Sequence, residues 1–595
     1  MFLEIEAGLA ILALVLALTV PNVGSRWFEA VERSFGKLAR QRGFSVITVG
    51  LSALVLRLAL IPILPIPIPL VPDEFGYLLG ADTFAHGRLA NPTPLLWTHF
   101  ESLMILLKPS YSSQYPPAQS LFLAMGQVLL GHPFWGVWLS AGLMCAAICW
   151  MLQVWVGEGW ALLGGFLAVA RIAAFSYWDN SYWGGAVAAL GGALALGALP
   201  RLKQEHRVRN ALVMGLGLAI LANSRPYEGF VFSLPVAVAL VVWMVGRKRP
   251  AFSVSFRQMI LPLCLLLGLV AVWMGYYNWR VGGDPLKLPY QIVHEQYDRS
   301  PYFLWESEQP LPEYRHPEMK EYEVDSLINR YEGTRSPAGL AMNELEKVSL
   351  MWLFFVGPLF TLLFVVAFVT LPYGFSSKDI SPPSKFLLAA FGVSLAAVGL
   401  EVYFCPHYAA PLTCIFFALE LLAMRRIRGW RLRGKPAGLF LVRSVPVIFL
   451  LLLLLRAGVA PLHLEPKYGL WTPWFSNRAR TSTIGRTAIL SELEKQPGRQ
   501  LVLVRYSPTL YDLSAHPTGK WPPDGVFEWV YNGADIDGQR VIWAHDMGPA
   551  ENEELIQYYK GRQVWLLFAD DQPPKLVPYS EAAVVSPAGP VSTGK

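Results

Sequence analysis

The stretch 44-FSVITVGLSALVLRLALIPILPIPIPLVPDEFGYLLGADTFAHGRLANP-92 changes solvent halfway along its length. Residues 44–71 carry a single charge, Arg57, in a run apolar enough to sit in lipid. Pro72 ends that run, and Asp73, Glu74 and Asp82 follow within ten positions. After Pro72, the residues Asp73, Tyr77, Gly80/Ala81 and Phe84 recur at helical spacing. The pattern predicts an amphipathic helix lying on a membrane surface, with two acids at its N-terminus, where the helix dipole favours carboxylates. Two readings of those acids stand side by side. They cap the helix in headgroup water, or one of them is a general base whose pKa is raised by partial desolvation, suited to taking a proton from a hydroxyl.

The rest of the chain places this stretch. Of 595 residues, 54% are hydrophobic and only 15% charged, against about 25% charged in soluble domains. The chain therefore reads as a mainly α, polytopic membrane protein. Spans of about 17–25 apolar residues are expected near 3–20, 44–70, 135–156, 160–177, 182–199, 210–224, 229–246, 258–280, 348–371, 386–404, 408–424 and 439–460. The first is taken as a retained span, because Glu4 and Glu6 replace the basic segment of a signal peptide. The net charge of +6 lies in short connectors, among them 26–42, 201–209 and 425–435. Scattered connectors of this kind exclude a folded nucleic-acid-binding face and assign those loops to the cytoplasm.

Residues 118–131 are too short to cross comfortably, and counting them would turn every later basic loop outward. Without them, loops 71–117 and 281–347 and everything after about 461 face outside, so the site-bearing loops and the C-terminal domain are extracytoplasmic. The expected organisation is an extra span with a basic loop (1–43), a membrane domain (44–460), a small α/β domain (461–580) and a disordered tail (581–595). Within 461–580, strands are expected at 501–506, 541–544 and 563–568, and helices at 485–496 and 551–559. The five cysteines lie in or beside apolar segments and imply neither a disulfide framework nor a metal cluster.

The joints on the outer side are polar and aromatic where the inner ones are merely basic. They include 97-WTHFESLMILLKPSYSSQYPPAQ-119, 176-SYWDNSYWGG-185, 223-NSRPYEG-229, 276-YYNWRVGGDPLKLPY-290 and 402-VYFCPHYAAP-411. Asp179, Arg225, Glu228, Arg280 and His407 fall at the outward ends of different spans. Singly, each reads as an interface anchor. Together, acids, guanidiniums and aromatic faces converging on one cavity suit an anionic, lipid-linked, sugar-containing ligand. Arg57 belongs either to a buried structural pair or to the charge network of that cavity. Neither a nucleotide-binding glycine loop nor an HExxH motif is present. A divalent cation beside Asp73 and Glu74 is left open.

An Arg in the preceding span, D-E-x-x-Y just beyond it, a helix ending in G-x-L-x-N-P, and then Y-P-P before an apolar helix together resemble a known family. The family is the polyprenyl-phosphate-dependent glycosyltransferases of the C superfamily, which includes protein O-mannosyltransferases and the aminoarabinose transferase of lipid A. The resemblance covers roughly residues 44–290, with His407 and Tyr408 as further family-like positions. It implies an integral protein of the bacterial inner membrane with an extracytoplasmic active site. It also implies a polyprenyl-phosphate sugar donor and a lipid, glycan or protein acceptor. Asp73 matches the position of the base, with Glu74 supporting it, and Tyr77 and Tyr115 would line the site. Relatives carry Lys or His before the Pro-Pro pair where this chain has Gln114 and Tyr115, so Lys108, His99 or Arg225 would take over the phosphate. Asp82 lies on the same helix. A transporter or flippase for a lipid-linked or anionic sugar is the competing class, although no internal repeat of the kind transporters carry is evident. A scaffold whose outer domain binds a partner is the third.

Overall fold

A computed structural model describes residues 1–69, 71–246, 249–320, 322, 327–372, 376–459, 462, 471–475, 481–506, 529–571 and 573–580. The chain is a multi-pass helical membrane protein with a small sheet near its C-terminus. Among the described residues, nine helices are long and apolar enough to cross a membrane. They are Phe2–Thr19, Arg42–Leu60, Phe134–Trp155, Ala186–Glu205, Pro226–Val245, Phe252–Gly282, Pro337–Val369, Pro406–Arg428 and Ala437–Val459. The remaining expected spans fall on shorter helices: Glu158–Ala168 continued by a π-turn to Ala173, Val208–Ala222 and Pro382–Val398.

The span expected to run to residue 70 stops at Leu60. Prolines at 62, 65, 67 and 69 cannot donate to a helical ladder, so Ile61–Pro69 leaves the helix as an irregular strap. Its carbonyls are held from inside the bundle. The Arg57 guanidinium donates to the carbonyls of Leu64 (3.0 Å) and Pro65 (3.3 Å).

The strap delivers the chain into helix Pro72–Ala85, and here the expectation of a surface helix is corrected. Most of the helix is buried, because it is covered on two sides. Small residues on one face, Gly76 and Gly80, let the following segment come close: a Cβ on Gly76 would stand 2.9 Å from the Tyr115 ring, and one on Gly80 would stand 2.6 Å from Ser120 Oγ. On the other face Phe75 stacks on Tyr531 of the C-terminal unit at 4.2 Å, and Asp82 accepts the Ala534 amide at 2.7 Å. Helix Pro117–Leu130 has 14 residues, as its sequence implied, and packs between this helix and the span Phe134–Trp155.

The C-terminal sheet has the strand order Val541–His545, Gln500–Arg505, Gln563–Phe568, Lys575–Pro578; the first three are parallel and the last is an antiparallel edge. The central strand is apolar on both faces because both are covered. Leu501 and Leu503 pack with Phe75, Leu79, Phe100 and Ile105 of the first loop. Val502 and Val504 pack with Ile489 and Leu493 of helix Thr481–Lys495. The sheet is thus fastened to the loop that holds the site. The tail 581–595 lies outside the described residues.

Candidate active site

Asp73 sits in the first turn of helix Pro72–Ala85, half-buried in a polar recess at the end of the bundle that carries the sheet. Tyr115 Oη donates to Asp73 Oδ1 at 2.6 Å, and the Tyr115 ring stacks on Tyr77 at 4.2 Å. The Y-P-P turn explains why Tyr115 can do this. Pro116 and Pro117 hold the chain extended before the next helix, and Gly76 leaves the space the ring occupies. Burial pushes the Asp73 carboxyl above the usual carboxylate range, against the hydrogen bond from Tyr115 and the charge of Arg225. Burial likewise pushes the Tyr77 phenol up to about 12. Removing the hydroxyl with Tyr115→Phe takes away a donor that favours the charged carboxylate. A hydrogen bond to a charged group contributes about 1.5–3 kcal/mol, so the acidic limb of the pH–rate profile should move up by about one to two units. An unmoved limb would detach Tyr115 from the carboxylate that titrates.

Arg225 faces Asp73 from the N-cap of span Pro226–Val245. Its guanidinium lies 4.0 Å above the Tyr408 ring and 3.4 Å from Glu228 Oε1. Behind it stands Glu401, a buried carboxyl whose Oε1 accepts no hydrogen bond among the described residues. Burial and the neighbouring Glu228 push Glu401 well above the carboxylate range, with Arg225 and Lys347 pulling the other way. Lys347 is itself buried and donates to the Glu401 carbonyl at 2.6 Å and to Glu344 at 2.6 Å. Glu401 and Lys347 were not singled out from the sequence. An acid at the end of an apolar run, 401-EVYFCPHY-408, was the available signal for Glu401. For Lys347, in an ordinary helical segment, there was none.

The other expected site residues divide by location. Tyr77, Tyr115, Arg225, Glu228 and Tyr408 gather around Asp73. His407 is buried behind Tyr408, with its Nδ1 3.0 Å from the Tyr177 hydroxyl. Glu74 is a correction. Its two oxygens accept the Tyr182 amide (2.9 Å) and the Val71 amide (3.2 Å), so it ties the strap and the 176–185 joint together instead of supporting the base. A cation at Asp73 and Glu74 would therefore meet two engaged carboxylates, Asp73 bonded by Tyr115 and Glu74 by two backbone amides. Arg57 and Asp179 form a buried pair, Nε to Oδ2 4.0 Å, below the recess. Asp82 and His99 dock the C-terminal sheet, His99 Nδ1 lying 3.0 Å from the His545 carbonyl oxygen. Gln114 donates to Met104 Sδ. Lys108 lies exposed over the Trp97 ring at 3.8 Å, and Arg280 is exposed beside Trp279, so neither reaches the recess. A cavity of about 480 Å³ lies on the opposite face of helix Pro72–Ala85, between it and the sheet, lined by Phe75, Asp82, Arg486 and Trp543. It contains none of the residues around Asp73.

No family model matches the chain, and a search of curated proteins likewise finds no match. Among solved structures, it is similar to ArnT from Cupriavidus metallidurans in the apo state, with 14% identity and a TM-score of 0.45. That match covers 89% of this chain and 93% of the other. An oligosaccharyltransferase of Archaeoglobus fulgidus in complex with zinc and sulfate matches at 10% identity and TM-score 0.38, over 76% of this chain and 55% of that one. The Archaeoglobus fulgidus oligosaccharyltransferase AglB, in complex with an inhibitory peptide and a dolichol-phosphate, matches at 10% identity and TM-score 0.36, covering 89% and 69%.

Proposed function

We propose that this protein is a membrane glycosyltransferase that moves a sugar from a polyprenyl-phosphate donor to an acceptor hydroxyl on the extracytoplasmic side of the inner membrane. The observation that carries the reading is the pairing of a half-buried, hydrogen-bonded carboxylate, Asp73, with a facing guanidinium, Arg225, in one recess. The motif resemblance across residues 44–290 supports the same class.

In this mechanism the donor phosphate pairs with Arg225, whose planar fork suits a phosphate and whose position over Tyr408 holds it in place. Burial and Glu228 push the Glu401 carboxyl up, which weakens its competition for the guanidinium, while Glu228 stays beside Arg225 and the donor phosphate joins that pair. Asp73 accepts the proton of the acceptor hydroxyl as its oxygen attacks the anomeric carbon. The bond from that carbon to the phosphate oxygen breaks, polyprenyl phosphate leaves, and the configuration inverts. Tyr77 and Tyr115 offer a stacked aromatic edge to the sugar.

The direct test reconstitutes the purified protein in lipid with a panel of labelled polyprenyl-phosphate sugars and follows release of the lipid phosphate. Release that depends on an acceptor supports transfer. Movement of intact lipid-linked sugar across the vesicle without release would put the chain among flippases instead. Arg225→Ala should raise the donor KM about tenfold or more, since charge-assisted bonds to a phosphate contribute about 1.5–3 kcal/mol. An unchanged KM would remove Arg225 from donor recognition.

A further inference from the structure

At the junction of the sheet, the first loop and the acid-rich loop 281–347, three buried side chains meet: His316, Glu318 and His545. They come from positions more than 200 residues apart, His316 and Glu318 from the second loop and His545 from the end of a sheet strand. One ligand-capable atom from each lies within 4.8 Å of the others. We propose that these three residues bind a divalent transition-metal ion of the zinc class and that the ion staples the C-terminal sheet to the two loops.

The supporting detail is in the second hydrogen-bonding atom of each ring. A histidine that binds metal through one nitrogen usually donates its other N–H to a backbone carbonyl or carboxylate, which fixes tautomer and orientation. His316 Nε2 lies 2.8 Å from the Thr98 carbonyl oxygen, and His545 Nε2 lies 2.7 Å from that of Glu101. Both histidines are therefore held in the tautomer that leaves Nδ1 with a lone pair. Glu318 Oε1 comes within 2.8 Å of His545 Nδ1, so with the ring proton on Nε2 two lone pairs face each other there, and among the described residues Oε1 accepts no hydrogen bond.

The alternative, a metal-free cluster, would protonate His545 on both nitrogens so that it pairs with Glu318. The rings of His316 and His545 lie face to face with centroids 3.8 Å apart, which brings both rings to the same side of Glu318, and the metal titration below separates the two alternatives. Two nitrogens and one carboxylate oxygen are the donor set of many zinc sites, with a fourth position left for water. The site is separate from the Asp73 recess, and it stands whether or not the transferase reading does.

The test uses the full chain in lipid nanodiscs, stripped with a chelator and titrated with cobalt(II) and then zinc(II). The expected result is one equivalent of metal per chain, a visible cobalt spectrum of low-symmetry N/O ligation that zinc abolishes, and a melting temperature raised by the metal. His545→Ala and the near-isosteric Glu318→Gln should each weaken binding by at least about tenfold, with Glu318→Gln guarding against simple misfolding. Asp73→Asn should bind as the parent does. Binding below one equivalent in the folded parent, or full binding by the His545 and Glu318 variants, overturns the proposal. Loss of metal in Asp73→Asn alone would move the ion to the recess and overturn it equally.

Discussion

Asp73→Asn is expected to lower the rate of sugar transfer by a factor of about 100–10,000 while the chain still folds and inserts, the range that removal of a positioned general base usually costs. Asparagine keeps the size of the side chain and can still bond to Tyr115 Oη, so the packing of Tyr115 on Tyr77 survives. What is lost is the ability to take up a proton. The parental protein carries a second signature of the same group. Burial raises the pKa of Asp73, and a base works only when ionised, so activity should rise with pH through a value above the ordinary carboxylate range. For stability the sign is opposite. A carboxyl whose folded pKa is raised favours the folded state at low pH, and that contribution disappears as pH climbs past the folded value. Activity and stability should therefore diverge on the acid side. A transfer rate in Asp73→Asn equal to the parent's would remove Asp73 from the chemistry.

How much of this was legible beforehand differs by residue, and the differences have physical causes. Asp73, Tyr115 and Arg225 were readable because each lies at a break in an apolar run, and Pro72 and Pro116–Pro117 mark where those breaks turn. The strands at 500–505, 541–545 and 563–568 were readable because a short apolar run bounded by polar residues has few other fates. The burial of helix Pro72–Ala85 was not readable. Its sequence looks half-polar, and only the sheet that comes some 450 residues later covers Phe75 and Asp82. Glu74 misled for a related reason. Adjacent acids look equivalent in sequence, but on a helix they point about 100° apart, so one faces the recess and the other the strap. The His316, Glu318 and His545 cluster offered only an H-x-E pair in an acid-rich loop, since its third member lies more than 200 residues further on in a strand.

Arg57 answers the question left by its place in a lipid-facing run, and the answer predicts the largest effect on stability. Its side chain is fully buried, it donates to the carbonyls of Leu64, Pro65 and Asp179, and Asp179 is equally buried beside it. Burial already pushes the Asp179 carboxyl well above the carboxylate range, opposed by Arg57. Arg57→Met fills much of the same volume but removes the guanidinium, leaving an acid without its counter-ion and two strap carbonyls without donors. Breaking a buried pair from one side costs about 3–5 kcal/mol. Because the strap hands the chain into helix Pro72–Ala85, Asp73 should be displaced as well, so transfer falls with the melting temperature. Arg57→Met/Asp179→Asn separates the two effects. Neutralising the acid should recover part of the lost melting temperature, while the undonated carbonyls of Leu64 and Pro65 keep the strap loose and transfer low. If thermal unfolding in detergent finds Arg57→Met as stable as the parent, the pair does not anchor the strap, and Arg57 belongs with the charges of the recess instead.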